Sequence, residues 1–505
     1  MNPRFSSGRA GLPPRDVPLA GLERAGHFRF RRVGESILVT NDTGDHELLT
    51  EAEFGDFLKG TLAADAPKRI ALREKGFLEG GRGAEETAAR LAQRKAFLSL
   101  GPYLHVLVVS LRCNQACGYC HSSRRGMGAT DLDMSLATAE RCVEVAMQSP
   151  APAVTLEFQG GEPLANFPVV KLAVTKALEL NRTAHKTLGF SLLTNLSLMD
   201  EEKLEFILEH DVKVCTSLDG PQDLHDANRP FGQRSSHAET IRWMERINQG
   251  YADLGLDPGL HHVEALLTVT RQSLGRGRDI VDEYVRRGLK AIFVRPANPV
   301  GFAPQVVAPI DYSTAEFLDF YRGTLDYIID LNRGGTELLE RLASIFLFKI
   351  LTDGDPNYVD IRSPCGAGIG QMAYNVDGSV FCCDEGRLLH QTGDSIFSLG
   401  HVERDGYGDL IESEVVRSVG VASCLEALPG CADCAYMPYC GSCPVFNYAT
   451  QRNIFGCMPD NERCRLHMGV MDRLFEILAT DPKVRDGIFA RWVETREQPF
   501  FAHDY

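Results

Sequence analysis

His105-Val-Leu-Val-Val-Ser-Leu111, followed at once by Arg112-Cys113-Asn-Gln-Ala-Cys117-Gly-Tyr-Cys120, is the stretch on which the reading of this chain turns. Seven largely apolar residues are too few for a stable helix and suit a strand buried on both faces. The loop behind it carries three thiols at CxxxCxxC spacing. Such a loop can hold three irons of a [4Fe–4S] cube and leave the fourth open to a small bidentate ligand. The alternative is zinc, with His121 completing a Cys3His site.

Working outward, Val154-Thr-Leu-Glu-Phe158 is a second apolar run, followed by Gln159-Gly160-Gly161-Glu162-Pro163. The glycines let backbone approach a ligand closely, and the carbonyl and carboxylate acceptors suit an ammonium group. Further runs at 189–195, 212–220, 263–269 and 289–294 continue the rhythm, with helical segments between them. Apolar strands alternating with helices predict βαβ units, parallel pairing and right-handed crossovers. Six units over about 100–305 fit an open or partial α/β barrel. Its polar, Gly-rich loops then lie at the C-terminal face, where such folds place active sites.

The two motifs, one βα unit apart, resemble the radical S-adenosylmethionine (radical SAM) superfamily. The resemblance implies that the methionine amine and carboxylate chelate the open iron and that the GGEP loop receives the amino group. The reduced cluster cleaves the cofactor to a 5′-deoxyadenosyl radical that abstracts a substrate hydrogen. It further implies cofactor contacts at Tyr119, Gln159, Gly160, Gly161, Glu162, Pro163, Thr194, Asn195, Ser217 and Asp219. Turn and capping chemistry is the plainer reading of the last four.

Fifteen cysteines in a chain that starts without an apolar signal segment read as metal or redox sites rather than a disulfide framework. Ten crowd into Cys365–Cys464, so a second cysteine module is expected there. Cys365, then Cys382-Cys383-Asp384, then Cys431-x2-Cys434-x5-Cys440-x2-Cys443 and Cys464, are similar to the SPASM extension. That extension carries one or two auxiliary [4Fe–4S] clusters. The implied ligands are Cys365, Cys383, Cys431, Cys434, Cys440, Cys443 and Cys464. Gln371 stands where a further ligand is often found, and Cys382 and Cys457 are alternative ligands. Zinc on Cys431, Cys434, Cys440 and Cys443 also fits the spacing. By resemblance to sulfatase-maturing relatives, Asp384 is the candidate catalytic base.

Ahead of the barrel, residues 27–59 alternate like paired strands and then turn helical behind Thr50. This module resembles the N-terminus of the His-Xaa-Ser system maturases, which implies pairing with a precursor peptide as an added edge strand. The whole is expected to be α/β: a tail at 1–20, the N-terminal strand/helix module at 21–98, and the radical SAM partial barrel at 99–305. A helical bridge at 306–358, a SPASM domain at 359–470 and a helical tail at 471–505 complete it.

The expected activity is peptide or protein maturation by hydrogen abstraction, with oxidation or crosslinking favoured. A small-molecule radical oxidoreductase and a non-catalytic zinc scaffold are the alternatives. Expected partners are the precursor peptide, a second radical SAM maturase, and an electron donor such as flavodoxin or ferredoxin. A net charge of −15 disfavours nucleic acid. No apolar run is long enough for a membrane span, and oxygen-sensitive clusters point to the cytoplasm.

Overall fold

The computed structural model describes residues 25–122, 124–301, 311–356 and 358–497; the tail expected at 1–20 lies outside them. Alternating residues give three antiparallel strands, β1 (Arg29–Val33), β2 (Ser36–Thr40) and β3 (His46–Leu49). The helix Glu51–Lys59 starts at a capping box: Thr50 Oγ1 accepts from the Glu53 N–H and the Glu53 carboxylate accepts from the Thr50 N–H. One face of this sheet buries Ile37, Val39 and Leu49 against Phe54, Phe57 and Leu72 as a core of its own. Leu38, from the other face, joins the main core. There Arg31 pairs with Asp472 at 2.8 Å and Thr40 Oγ1 donates to the Ala435 carbonyl at 2.8 Å. The N-terminal module therefore sits on the cysteine-rich part of the chain.

The opening run forms β4 (Leu104–Ser110), all seven residues buried. Apolar layers on both sides explain this: Leu107 and Val109 join the main core, while Leu104 and Val106 meet Ala373 and Phe381. Next come β5 (Ala153–Gly160), β6 (Thr187–Thr194), β7 (Val212–Ser217), β8 (Glu264–Val269), β9 (Ala291–Ile292) and β10 (Val294–Pro296). Strands β4, β5, β6, β7, β8 and β10 lie side by side in that order, every pair parallel, with helices between them. This is the six-stranded arrangement that the apolar runs predict.

The remaining strands are β11 (Leu339–Glu340), β12 (Gln371–Tyr374), β13 (Ser379–Phe381) and β14 (Ser398–His401). β12 pairs parallel to β4 on its open side, and β13 and β14 follow antiparallel, extending the sheet to nine strands. The cysteine-rich segment, which shows little periodicity as sequence, is thus welded to the barrel edge. The helix Glu462–Thr480 runs unbroken through residue 470, where the sequence reading divides the SPASM domain from the tail. Among the described residues no helix is long and apolar enough to cross a membrane.

Candidate active site

At the C-terminal ends of the barrel strands lies a cavity of about 790 Å³, and Cys113, Cys117 and Cys120 all line it. Backbone hydrogen bonds hold their loop to the segment after β7. The Ala116 N–H donates to the Pro230 carbonyl and the Gly118 N–H to that of Asn228, each at 3.0 Å. Between the first two cysteines, Gln115 is 2% exposed, and neither atom of its amide has a partner among the described residues. Burial, with Glu162 and the other thiols adding to it, pushes Cys113 up to about 12. Burial and Cys120 push Cys117 up to about 11. Thiolates are stable here only against positive charge such as iron. Three sulfur donors and an orphaned amide at one cavity fit a cluster.

Among the described residues, no three His, Cys, Asp or Glu side chains converge as a single ion requires.

Gly160 and Gly161 form the facing wall. A Cβ on Gly160, at φ +151°, would lie 2.0 Å from the Ser110 carbonyl oxygen, and one on Gly161 2.5 Å from that of Arg112. Only glycine brings the end of β5 this close to the cysteine loop. Gln159 also lines the cavity. Glu162 does not face it as the sequence reading expects. Its carboxylate is fully buried and accepts from Thr194 Oγ1 at 2.6 Å, the Asn195 N–H at 2.8 Å and the Leu164 N–H at 3.0 Å. It ties the loop to the end of β6, and Pro163 starts the helical turn behind it.

Thr194, Asn195 and Ser217 line the cavity. Asn195 Nδ2 also donates to Asn114 Oδ1 at 3.2 Å and approaches Cys113 Sγ at 3.7 Å. Tyr119 lines the cavity, and its hydroxyl donates to Asp219 Oδ2 at 2.7 Å. Asp219 is fully buried behind the wall and pairs with Arg229 at 2.9 Å. Arg229 was missed in the sequence. It lines the cavity, reaches Cys117 Sγ at 3.9 Å and stacks on the Tyr119 ring at 5.2 Å. The only signal for it was an Arg-Pro pair ten residues after Asp219.

The same cavity is walled by Cys365, Cys383, Cys443 and Asp384. Cys382 is fully buried beside Cys383, its sulfur 4.0 Å away. Asp384 opens the helix Asp384–His390 and accepts from Arg387 Nε at 2.7 Å. Gln371 lines the cavity as well. A second cavity, of about 280 Å³, gathers Cys431, Cys434, Cys440 and Cys464, with Cys443 touching both. Cys457 is exposed and its sulfur faces Asp460.

Residues 107–253 match the radical SAM superfamily. A cysteine-type anaerobic sulfatase-maturating enzyme of Clostridium perfringens is 33% identical over 298 residues, 56% of this chain and 75% of that protein. The chain belongs to the radical SAM superfamily. Among solved structures, native anSMEcpe with bound AdoMet overlays with a TM-score of 0.61 at 18% identity, over 76% of this chain and all of that one. Streptococcus suis SuiB bound to its precursor peptide SuiA overlays with a TM-score of 0.52 at 15% identity, over 85% and 97%.

Members of this superfamily use S-adenosylmethionine and a [4Fe–4S] cluster, which together supply hydrogen-atom abstraction when bound. Here Cys113, Cys117 and Cys120 would hold the cluster. Gln159, Gly160, Gly161, Asn195, Ser217 and Arg229 present donors and acceptors to the space beside it.

Proposed function

We propose that this radical SAM enzyme modifies a ribosomally made peptide or protein, in the manner expected of His-Xaa-Ser maturation. The observation that carries the reading is an open sheet edge beside the cysteine-rich region. On β3, Lys75 Nζ donates to the His46 carbonyl at 2.7 Å and Lys68 Nζ to that of Leu48 at 2.8 Å, so that edge is closed. The pairing registers then turn Phe30 and Arg32 of β1 outward. Among the described residues, their backbone groups have no hydrogen-bond partner. An extended peptide can add to such an edge. β1 is also the strand whose Arg31 reaches Asp472, so a peptide docked there runs close to the cysteine cavities. The sulfatase-maturating and precursor-peptide-bound relatives support the same substrate class.

In this reading Cys365, Cys383 and Cys443 serve one auxiliary cluster, and Cys431, Cys434, Cys440 and Cys464 serve the other. Asp384 would take the substrate proton at its carboxylate, and an auxiliary cluster held by these thiols would supply an electron acceptor beside it, so that the overall change is an oxidation. A flavodoxin or ferredoxin supplies the starting electron, a second radical SAM maturase is a partner, and the reducing cytoplasm is the compartment.

The test is anaerobic purification, an iron and sulfide count, and incubation with S-adenosylmethionine and a synthetic peptide of His-Xaa-Ser repeats. About twelve irons per chain, release of 5′-deoxyadenosine and a mass change in the peptide are expected. Deoxyadenosine release that no peptide stimulates, with a small metabolite consumed instead, would overturn the peptide reading.

A further inference from the structure

Within the barrel, Val154, Leu156 and Phe158 of β5 point outward into the main core, so Thr155, Glu157 and Gln159 face the lumen. Glu157 is an unusual occupant. It is 1% exposed, and one carboxyl oxygen accepts from the Gln159 amide while the other, Oε2, has no partner among the described residues. A buried polar atom left without a partner costs about 1–3 kcal/mol. Folds rarely carry such an atom without a use for it.

Arg295, on β10, lines the same cavity. Its guanidinium stacks over the Phe293 ring at 5.2 Å and makes no hydrogen bond or ion pair with any described residue. Its charge acts on Glu157, His121, Cys215 and Tyr358 around the lumen, yet it does not close onto Glu157 as an ion pair. Two complementary groups thus face one space with their hydrogen-bonding capacity unspent.

We propose that Glu157 and Arg295 form a clamp that receives a neutral polar side chain of the substrate, one carrying both a donor and an acceptor. The proposal rests on the peptide reading above and names its specificity. Charge selects the class. Arg295 repels an ammonium or guanidinium, and the carboxyl group of Asp384, on the same lumen, opposes a carboxylate. An aliphatic side chain would leave both groups unsatisfied, which is costly at the buried Glu157 Oε2. A carboxamide, neutral imidazole or hydroxyl satisfies both. Burial pushes Glu157 up to about 8, so its carboxyl can donate as well as accept.

The experiment uses the reconstituted holoenzyme with S-adenosylmethionine and capped single-residue amides (N-acetyl, N-methylamide) of Asn, His, Ser, Leu, Asp and Lys. Binding is measured by equilibrium dialysis in the parent and in Glu157→Ala, Glu157→Gln and Arg295→Met variants that load the parent's iron. The Asn, His and Ser amides are expected to bind at least about tenfold tighter than the other three. That preference should collapse in Glu157→Ala and Arg295→Met, with Glu157→Gln retaining part of it. Equal binding of all six, no binding of any, or a preference surviving both truncations would overturn the clamp. If polar amides bind selectively but no peptide is modified, the clamp stands and the peptide reading falls. If a peptide is modified regardless of the residue at the clamp, the reverse holds.

Discussion

Substituting Gly160 by alanine should uncouple the β5 loop from the cysteine loop. The added Cβ would sit 2.0 Å from the Ser110 carbonyl oxygen and 3.1 Å from its carbon, both backbone atoms that cannot swing aside. Carbon and carbonyl oxygen come to rest at about 3.3 Å or beyond, so the strands must separate by about 1 Å. That movement strains or breaks the hydrogen bond from the Gly161 N–H to the same carbonyl, now 2.8 Å. The lost bond costs about 1 kcal/mol. Holding alanine at a φ of +151° adds about 1–3 kcal/mol. A destabilisation of about 2–4 kcal/mol follows, visible as a lowered urea midpoint for the apoprotein. The shift also carries Gln159, Gly160 and Gly161 away from the three thiols, and about 1 Å of misplacement can cost about a hundredfold in rate. Gly128→Ala is the control, because nothing lies within 4 Å of its Cβ position. Equal urea midpoints and equal S-adenosylmethionine affinity in the two variants would refute the steric argument.

Arg229→Lys replaces a planar fork by a point charge and leaves Asp219, with no exposed surface, imperfectly paired; a loss of about 3 kcal/mol and weaker cofactor binding by calorimetry are expected. For Glu157 the folded value of about 8 lies above its ordinary 4.5 because burial favours the neutral acid. Its contribution is therefore fully present at low pH and fades as pH rises from about 4.5 toward about 8. Glu157→Gln should accordingly gain thermal stability relative to the parent as pH rises through that window, and parallel melting curves would sink this. Cys464→Ser should lower the iron count while Cys457→Ser leaves it unchanged, because only Cys464 lines the second cavity; equal iron in the two would reassign that ligand.

The barrel was legible because each of its strands is a run of apolar residues closed by a polar loop, and burial on both faces leaves that pattern unbroken. β12, β13 and β14 left no such trace. They are four, three and four residues long, too short for a period of two to register, and their place in the sheet depends on pairing with β4 about 265 residues earlier in the chain. The thiols were legible because spacing alone defines a ligand set. Which thiols share a cavity was not, since Cys440 and Cys443 are three residues apart and share the second cavity, yet only Cys443 also reaches the first. Glu157 was passed over for a physical reason: inside an apolar run a single acid reads as an interruption, and only the lumen shows that it points inward.

Glu162 marks the limit of motif reading from the opposite side. A carboxylate in a Gly-rich loop suits an ammonium ligand, and nothing in the sequence says whether its oxygens are already spent. Three donors from β6 and the loop itself spend them. The motif's acidic residue then acts by fixing Thr194 and Asn195 against the loop, and the acceptors left for a ligand are the backbone of Gly160 and Gly161 and the side chain of Gln159. Losing the Glu162 carboxylate would therefore displace Asn195, and with it the contact to Cys113 Sγ, before it removed any direct contact to the cofactor.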